Sequence, residues 1–296
     1  MNLQLFEKKI EYLQAQRSQN NQTFYQLSFR FHEIEISFHS DNQDFIKELK
    51  EYIPSDWLTK PNPRAQSIFH FDVAQWSEAE PFDNEKSSLT HFHHGYIIQR
   101  DFIAHYEKGS QTTYTAFEAK LDDGLHNFFR WYLSPQLLPL NKAMIHSSAI
   151  LSKDEREAFL FFGPSGAGKT TITELASPRK ILSDDMNVLH IENGQLFCSP
   201  GGVGGLYKPQ VSLDRKYPVK SIFWLIQSDL YSTEKVAQIH QLKYLLATFA
   251  NLPLGNIDIT LEEQILAFAD RITHLKEIEN LYFPKRKDIW NQLNPN

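Results

Sequence analysis

Near the start of the chain Leu3, Phe6, Ile10 and Leu13 recur at the spacing of one helical face. Leu27, Phe29 and Phe31 then alternate with polar residues, and Ile34, Ile36 and Phe38 alternate with the opposite parity. The change of phase at His32 and Glu33 predicts two strands joined by a tight turn or a bulge. Phe45, Leu49, Tyr52 and Ile53 mark a second helix, and strand-like runs follow near 68–73, 96–100, 102–106 and 112–117. The polar stretches 54–63 and 77–88 read as loops. Leu121, Leu125, Phe128, Phe129, Tyr132 and Leu133 form a strong amphipathic stripe, which Pro135 and Pro139 are expected to end.

Beyond that stripe the pattern changes. Apolar runs at 144–151 and 159–162 flank a charged turn, 153–157. A short run, Ile181 and Leu182, ends in Ser183, Asp184 and Asp185. Asn193-Gly194 separates two further strand candidates, the strongest short hairpin signal available. Residues 220–226 predict a buried strand, and Leu242, Leu245, Leu246 and Phe249 a helix. Thr260 and Glu263 match a capping box opening another helix, and 281–283 predicts a last strand. Hairpins mixed with one strand–loop–helix unit predict a mixed α/β (α+β) sheet rather than a doubly wound parallel one. The expected organisation is a smaller N-terminal α+β module over 1–120 and a second domain over 121–296.

Composition narrows the classes. With 30 Lys and Arg against 36 Asp and Glu, the net charge is −6, and no long basic stretch offers a nucleic-acid surface. A single cysteine, Cys198, excludes an intrachain disulfide framework. No apolar stretch approaches the roughly 18 residues of a membrane span. The expectation is a cytoplasmic protein with neither nucleic acid nor membrane as partner.

The chemistry concentrates after the strand candidate at 159–162. Gly163, Pro164, Ser165, Gly166, Ala167, Gly168, Lys169, Thr170 and Thr171 carry Gly-x-x-x-x-Gly-Lys-Thr, the phosphate-binding loop, between a strand and a helix. Glycines let backbone N–H groups turn toward an anion. Lys169 places a positive charge against β- and γ-phosphates, and the Thr170 hydroxyl suits Mg²⁺. Asp184 and Asp185 stand at a strand end downstream. Transfer of a phosphoryl group to a hydroxyl needs one carboxylate for the metal and one for the proton, and two adjacent aspartates can divide those jobs. His146 lies on the strand preceding the loop strand, where an isolated histidine is more often a hydrogen-bonded core residue. Gly201, Gly202, Gly204 and Gly205 predict either a loop that closes over a substrate or a surface turn. His91, His93 and His94 lack any familiar metal spacing and a third ligand.

Taken in order, His146, the hairpin, the loop 163–171 and the pair Asp184-Asp185 resemble the HPr kinase/phosphorylase superfamily, more closely its members in peptide-modification gene clusters. The segments 217–225 and 281–290 are similar to that family's later strand and its C-terminal ending. The resemblance spans roughly 121–296. It implies the fold of phosphoenolpyruvate carboxykinases and ATP- and Mg²⁺-dependent phosphorylation of a serine- or threonine-type hydroxyl. It implies that Asp184 and Asp185 act as base and metal ligand, with Thr170 and Asp185 on the metal, and that His146 neighbours them. Residues 199–207 do not match the substrate loop of HPr kinases, so HPr is not the implied acceptor. A peptide or small protein is the expected acceptor, with the first module recognising it or its leader. A kinase of a free amino acid or other small hydroxyl metabolite, and a nucleotide-binding regulatory module without turnover, stay open. So does the oligomeric state, homo-oligomer included.

Overall fold

The computed structural model describes residues 3–18, 24–71, 91–93, 96–99, 102–106, 111–117, 121–202, 204–207, 209–249, 259–286 and 288–293. The chain divides into two compact units, Met1–Phe128 and Phe129–Asn296. The division falls inside the helix predicted from the stripe at 121–133.

The first unit is built on a seven-stranded sheet. Its elements are α1 (Leu3–Ser18), β1 (Tyr25–Phe31), β2 (Ile34–Ser40), α2 (Gln43–Tyr52), β3 (Gln66–Phe71), β4 (His91–His93), β5 (Tyr96–Ile98), β6 (Phe102–Tyr106) and β7 (Thr112–Phe117). The strand order is β1-β2-β3-β7-β6-β5-β4. The change of parity at His32-Glu33 is a two-residue hairpin. Phe31 faces Ile34 across it, and His32 takes a left-handed φ of 53°. Asn42 caps α2 by accepting from the backbone N–H of Asp44 and Phe45. Successive strand residues point to opposite faces. Phe69, Ile103, Tyr114 and Ala116 therefore pack with Phe6, Ile10 and Leu13 of α1. On the other side Phe45 stacks on His70 at 3.5 Å between ring centres, and Phe128 meets Phe38, Phe102 and Phe117 edge-on. The predicted loop 77–88 and His94 lie outside the described residues, as do the side chains of His91 and His93.

The helix that crosses the division, α3, runs Leu121–Leu137 with Pro135 inside it. The expectation that Pro135 ends it is corrected. Proline removes the N–H that would have met the Trp131 carbonyl, and the carbonyls on either side of that one gain side-chain donors. Ser134 Oγ donates to the Arg130 carbonyl at 2.6 Å and Gln136 Nε2 to the Tyr132 carbonyl at 2.8 Å. The chain leaves the helix only through the short turn Leu138–Leu140, which holds Pro139.

The second unit carries the mixed sheet. Its strands are β8 (Lys142–His146), β9 (Ser148–Leu151), β10 (Ala158–Phe162), β11 (Ile181–Ser183), β12 (Met186–Glu192), β13 (Gln195–Pro200), β14 (Tyr217–Gln227), β15 (Ser232–Lys235) and β16 (Ile278–Phe283). Its helices are α4 (Lys169–Glu174), α5 (Gln238–Leu246), α6 (Ile259–Leu275) and α7 (Ile289–Leu293). The order is β11-β9-β10-β14-β13-β12-β8, with β16 paired to β14 and β15 to β16. β10 is buried along its whole length and separates two cores. Leu160 and Phe162 join Ile265, Phe268 and Ile272 of α6, while Phe159 and Phe161 join Ile172 of α4 and Trp290 of α7.

One property of this sheet positions everything that follows. β14 runs parallel to β10 and β16 parallel to β14. β11 reaches the same direction through two antiparallel steps across β9. Four strands thus deliver their C-terminal ends to one edge.

Candidate functional site

That edge gathers the phosphate loop after β10, Asp184 and Asp185 after β11, and the chain following β14 and β16. Within the loop Gly168 adopts φ +111°, and a Cβ there would lie 2.7 Å from the Phe283 ring. Glycine is required twice over at this position, by conformation and by space. Pro164, Ser165 and Gly166 are exposed at the tip, Gly163 is buried at the base, and Thr170 and Thr171 are half-buried in the first turn of α4. Gln227 Nε2, at the end of β14, donates to the Gly166 carbonyl at 2.7 Å and ties the tip to the neighbouring strand.

Lys169 is only 8% exposed. Its ammonium donates to the carbonyls of Gly163 at 2.7 Å and Pro164 at 3.2 Å. Burial pushes its pKa below the ordinary lysine value, and the carboxylate of Asp185 opposes that shift. The loop thus folds around its own cation.

The aspartate pair is held by a web of serines. Ser183 Oγ accepts from the backbone N–H groups of Asp185 and Met186, both at 3.2 Å, which turns the chain sharply after β11. Ser148 Oγ donates to the Asp184 carbonyl, and the Ser147 N–H donates to that of Asp185. Asn187, fully buried, donates to the carbonyl and hydroxyl of Ser147.

The two carboxylates then point into different surroundings. Asp184 is buried. Its Oδ2 accepts the N–H of Leu206 at 3.3 Å and its Oδ1 that of Tyr207 at 3.1 Å. Gly205, at φ +88°, passes so close that any Cβ would overlap Asp184 Oδ1. The glycine-rich segment is therefore packed onto this carboxylate. Asp185 is partly open to solvent and pairs with His146, whose Nε2 lies 2.8 Å from Oδ1. His146 reaches it from the end of β8, where it faces Met186 across the antiparallel register.

Sequence reasoning missed Arg130. Burial lowers its pKa, and the charge of Asp185 works against that shift, so the guanidinium sits within the field of the same carboxylate. Its Nε is buried without a hydrogen-bond partner. In the sequence Arg130 is one polar residue on an amphipathic helix far from any motif, and nothing marks it. Asp185 thus lies within the field of two cations, Lys169 and Arg130, with His146 bonded to it, and those cations suit a polyanion.

The donor set fits Mg²⁺. This ion takes oxygen ligands, uses one or two carboxylates, and keeps water and phosphate oxygens in its remaining positions. Asp185 and the Thr170 hydroxyl supply that chemistry. Among the described residues no group of three or more His, Cys, Asp or Glu is placed to hold a metal by protein ligands alone. No helix among the described residues is long and apolar enough to cross a membrane.

Residues 115–229 match the family model of phosphoenolpyruvate carboxykinase, a span that takes in the phosphate loop and both aspartates but less than half of the chain. A search of curated proteins returns no match. Among solved structures, the HPr(Ser) kinase/phosphatase from Coxiella burnetii aligns with 14% identity over 48% of this chain and 85% of that one, at a TM-score of 0.25. Over the matched span, which carries β10, the phosphate loop, β11 and the aspartate pair, the chain is similar to phosphoenolpyruvate carboxykinase.

Proposed function

We propose that the chain is an ATP- and Mg²⁺-dependent kinase that transfers the γ-phosphoryl group to a serine- or threonine-type hydroxyl of a peptide or small protein. The observation that carries this reading is the meeting of Lys169, Asp185, His146 and Asp184 at one sheet edge beside the phosphate loop. Lys169 and the loop N–H groups bind the β- and γ-phosphates. Bound Mg²⁺ would neutralise charge on the phosphates from Thr170 and Asp185. His146 fixes the orientation of Asp185. Arg130 adds positive charge on the same side.

Asp184 is the candidate proton acceptor. An ionised carboxylate has about four lone-pair positions, so two N–H bonds leave room for an acceptor hydroxyl. The bond that forms joins that hydroxyl oxygen to the γ-phosphorus; the bond that breaks frees the nucleoside diphosphate, and the hydroxyl proton passes to Asp184. An extended acceptor is favoured over a small enclosed metabolite because Leu206, whose N–H meets the carboxylate, is 81% exposed. Acceptor or leader recognition falls to the first unit, which carries no nucleotide motif.

The test is phosphoryl transfer from Mg-ATP to a serine-containing peptide library, read by mass spectrometry, with matched alanine peptides as blanks. Lys169→Ala should reduce transfer by at least about 10²–10³-fold, the scale of removing one transition-state donor. Unchanged transfer and unchanged Mg-ATP affinity in that variant would refute the phosphate-loop assignment.

A further inference from the structure

The site has a direction. If transfer occurs at the aspartate pair, the terminal phosphate lies on the β11 side of the loop, and the rest of the nucleotide must leave on the other side. The strand order places β14 and β16 there, with their C-terminal ends on the same edge. A cleft of about 450 Å³ opens at those ends, lined by Gln227, Ser228, Asp229, Pro284, Lys285 and Arg286. That volume lies within the roughly 300–1,000 Å³ usual for small-molecule sites. Two contacts join the cleft to the loop. Gln227 donates to Gly166, and Phe283, which precedes Pro284, packs where a Cβ of Gly168 would be.

Resting on the kinase reading above, we propose that this cleft is the nucleoside subsite: it receives the ribose and base of the nucleotide whose phosphates lie on the loop 163–170. The lining matches that ligand in kind. Asp229 and Ser228 supply acceptors for ribose hydroxyls. Lys285 and Arg286 supply donors for base nitrogens and oxygens. The cleft is open and polar, as suits a nucleoside left partly in water rather than a buried apolar ligand. It also gives Gln227 two duties, one toward the loop tip and one toward the sugar.

The experiment compares two probes on the full chain by calorimetry, Mg-ATP and Mg-tripolyphosphate. Both carry a triphosphate, and only ATP has a nucleoside. Wild type should bind ATP more tightly. Asp229→Ala and Arg286→Ala should each weaken ATP by about tenfold, the loss expected of a hydrogen bond involving a charged group, and leave tripolyphosphate unchanged. Ser228→Trp, which fills the cleft, should bring ATP down to the affinity of tripolyphosphate. If ATP binding survives all three variants intact, or if both probes weaken together, the subsite is overturned while the phosphate-loop reading stands. If wild type binds neither probe, the kinase reading falls and the subsite falls with it.

Discussion

The two units bury different things in their sheets. In the first, the face under α2 and the start of α3 is a stack of rings: Phe38, Phe45, His70, Phe102, Phe117 and Phe128, joined by aromatic contacts between 3.5 and 6.3 Å. In the second, β10 and its neighbours divide into two apolar cores, and Lys169, Asp184 and Asp185 gather at the edge where four strands end. The ring stack can tolerate no ionised group, and His70 is held neutral in it, its pKa lowered to about 3 by burial. The charged edge instead holds two carboxylates beside two cations, Lys169 and Arg130. A sheet with a uniformly apolar or aromatic interior offers a rigid body; a sheet whose parallel strands end together offers a place where backbone and charge meet a ligand.

The sharpest way to break that comparison is to remove charge from the edge. Asp184→Asn and Asp185→Asn keep volume while deleting a carboxylate. Losing a general base costs about 10²–10⁴-fold in rate. Asp184→Asn should show that loss at every Mg²⁺ concentration, since its carboxylate faces the Leu206 and Tyr207 N–H groups rather than the loop. Asp185→Asn should be partly rescued by excess Mg²⁺. Both variants should fold normally by circular dichroism. Near-wild-type turnover in both would remove the mechanism.

The ring stack is tested by Phe38→Ala. Phe38 is fully buried and meets Phe29, Phe45 and Phe128. Phe→Ala in a core costs about 3–5 kcal/mol, so the melting temperature should drop. Mg-ATP affinity at temperatures where the variant remains folded should not change. A parallel loss of nucleotide affinity would show that the charged edge depends on the ring stack and that the contrast between the units is not functional.

Much of this arrangement was legible in the sequence, for identifiable reasons. The phosphate loop is local in sequence, so its glycines, lysine and flanking strand and helix were all visible together. The hairpins at His32-Glu33 and Asn193-Gly194 were visible because a turn resets side-chain parity or demands positive φ, as Asn193 at 49° and Gly194 at 74° do. The pair Asp184-Asp185 was visible only as two carboxylates at a strand end. Which one the loop covers and which one His146 meets depends on β8 pairing with β12, a contact between residues 40 apart in sequence. Thr260 was expected at a helix cap, yet α6 already includes Ile259, so the hydroxyl lies inside the first turn. Arg130 was invisible because its significance comes from Asp185, which no helical periodicity reports.

The units can be compared again through pH. His70 in the first and His190 in the second both have pKa values lowered from 6.5 to about 3, His70 by burial, His190 by burial and then by Lys142 and Lys216. Between those values the unfolded chain binds protons that the folded chain refuses, so stability falls as pH drops from 6.5 toward 3. Each histidine should contribute on the order of a few kcal/mol to that slope. His70→Gln should flatten the slope of denaturant stability for the first unit alone, and His190→Gln that for the second. A slope unchanged by both variants would assign the acid sensitivity to other groups.

The smallest expected effect concerns how the edge is braced. Gln227 is exposed, and its amide makes one hydrogen bond to the Gly166 carbonyl at the tip of the phosphate loop. A neutral hydrogen bond of this kind contributes about 0.5–1.5 kcal/mol, so Gln227→Ala should weaken Mg-ATP by roughly 2–10-fold. Because Gln227 also lines the cleft beyond β14, the two probes separate its duties. Loss of the brace weakens tripolyphosphate and ATP alike, whereas loss of a sugar contact weakens ATP only. Gln227→Glu places a carboxylate against a carbonyl oxygen and beside the phosphates, and should weaken both probes further than the alanine variant. If alanine and glutamate variants bind both probes as wild type does, the loop is set by its glycines and by Phe283 behind Gly168, and the end of β14 has no part in holding it.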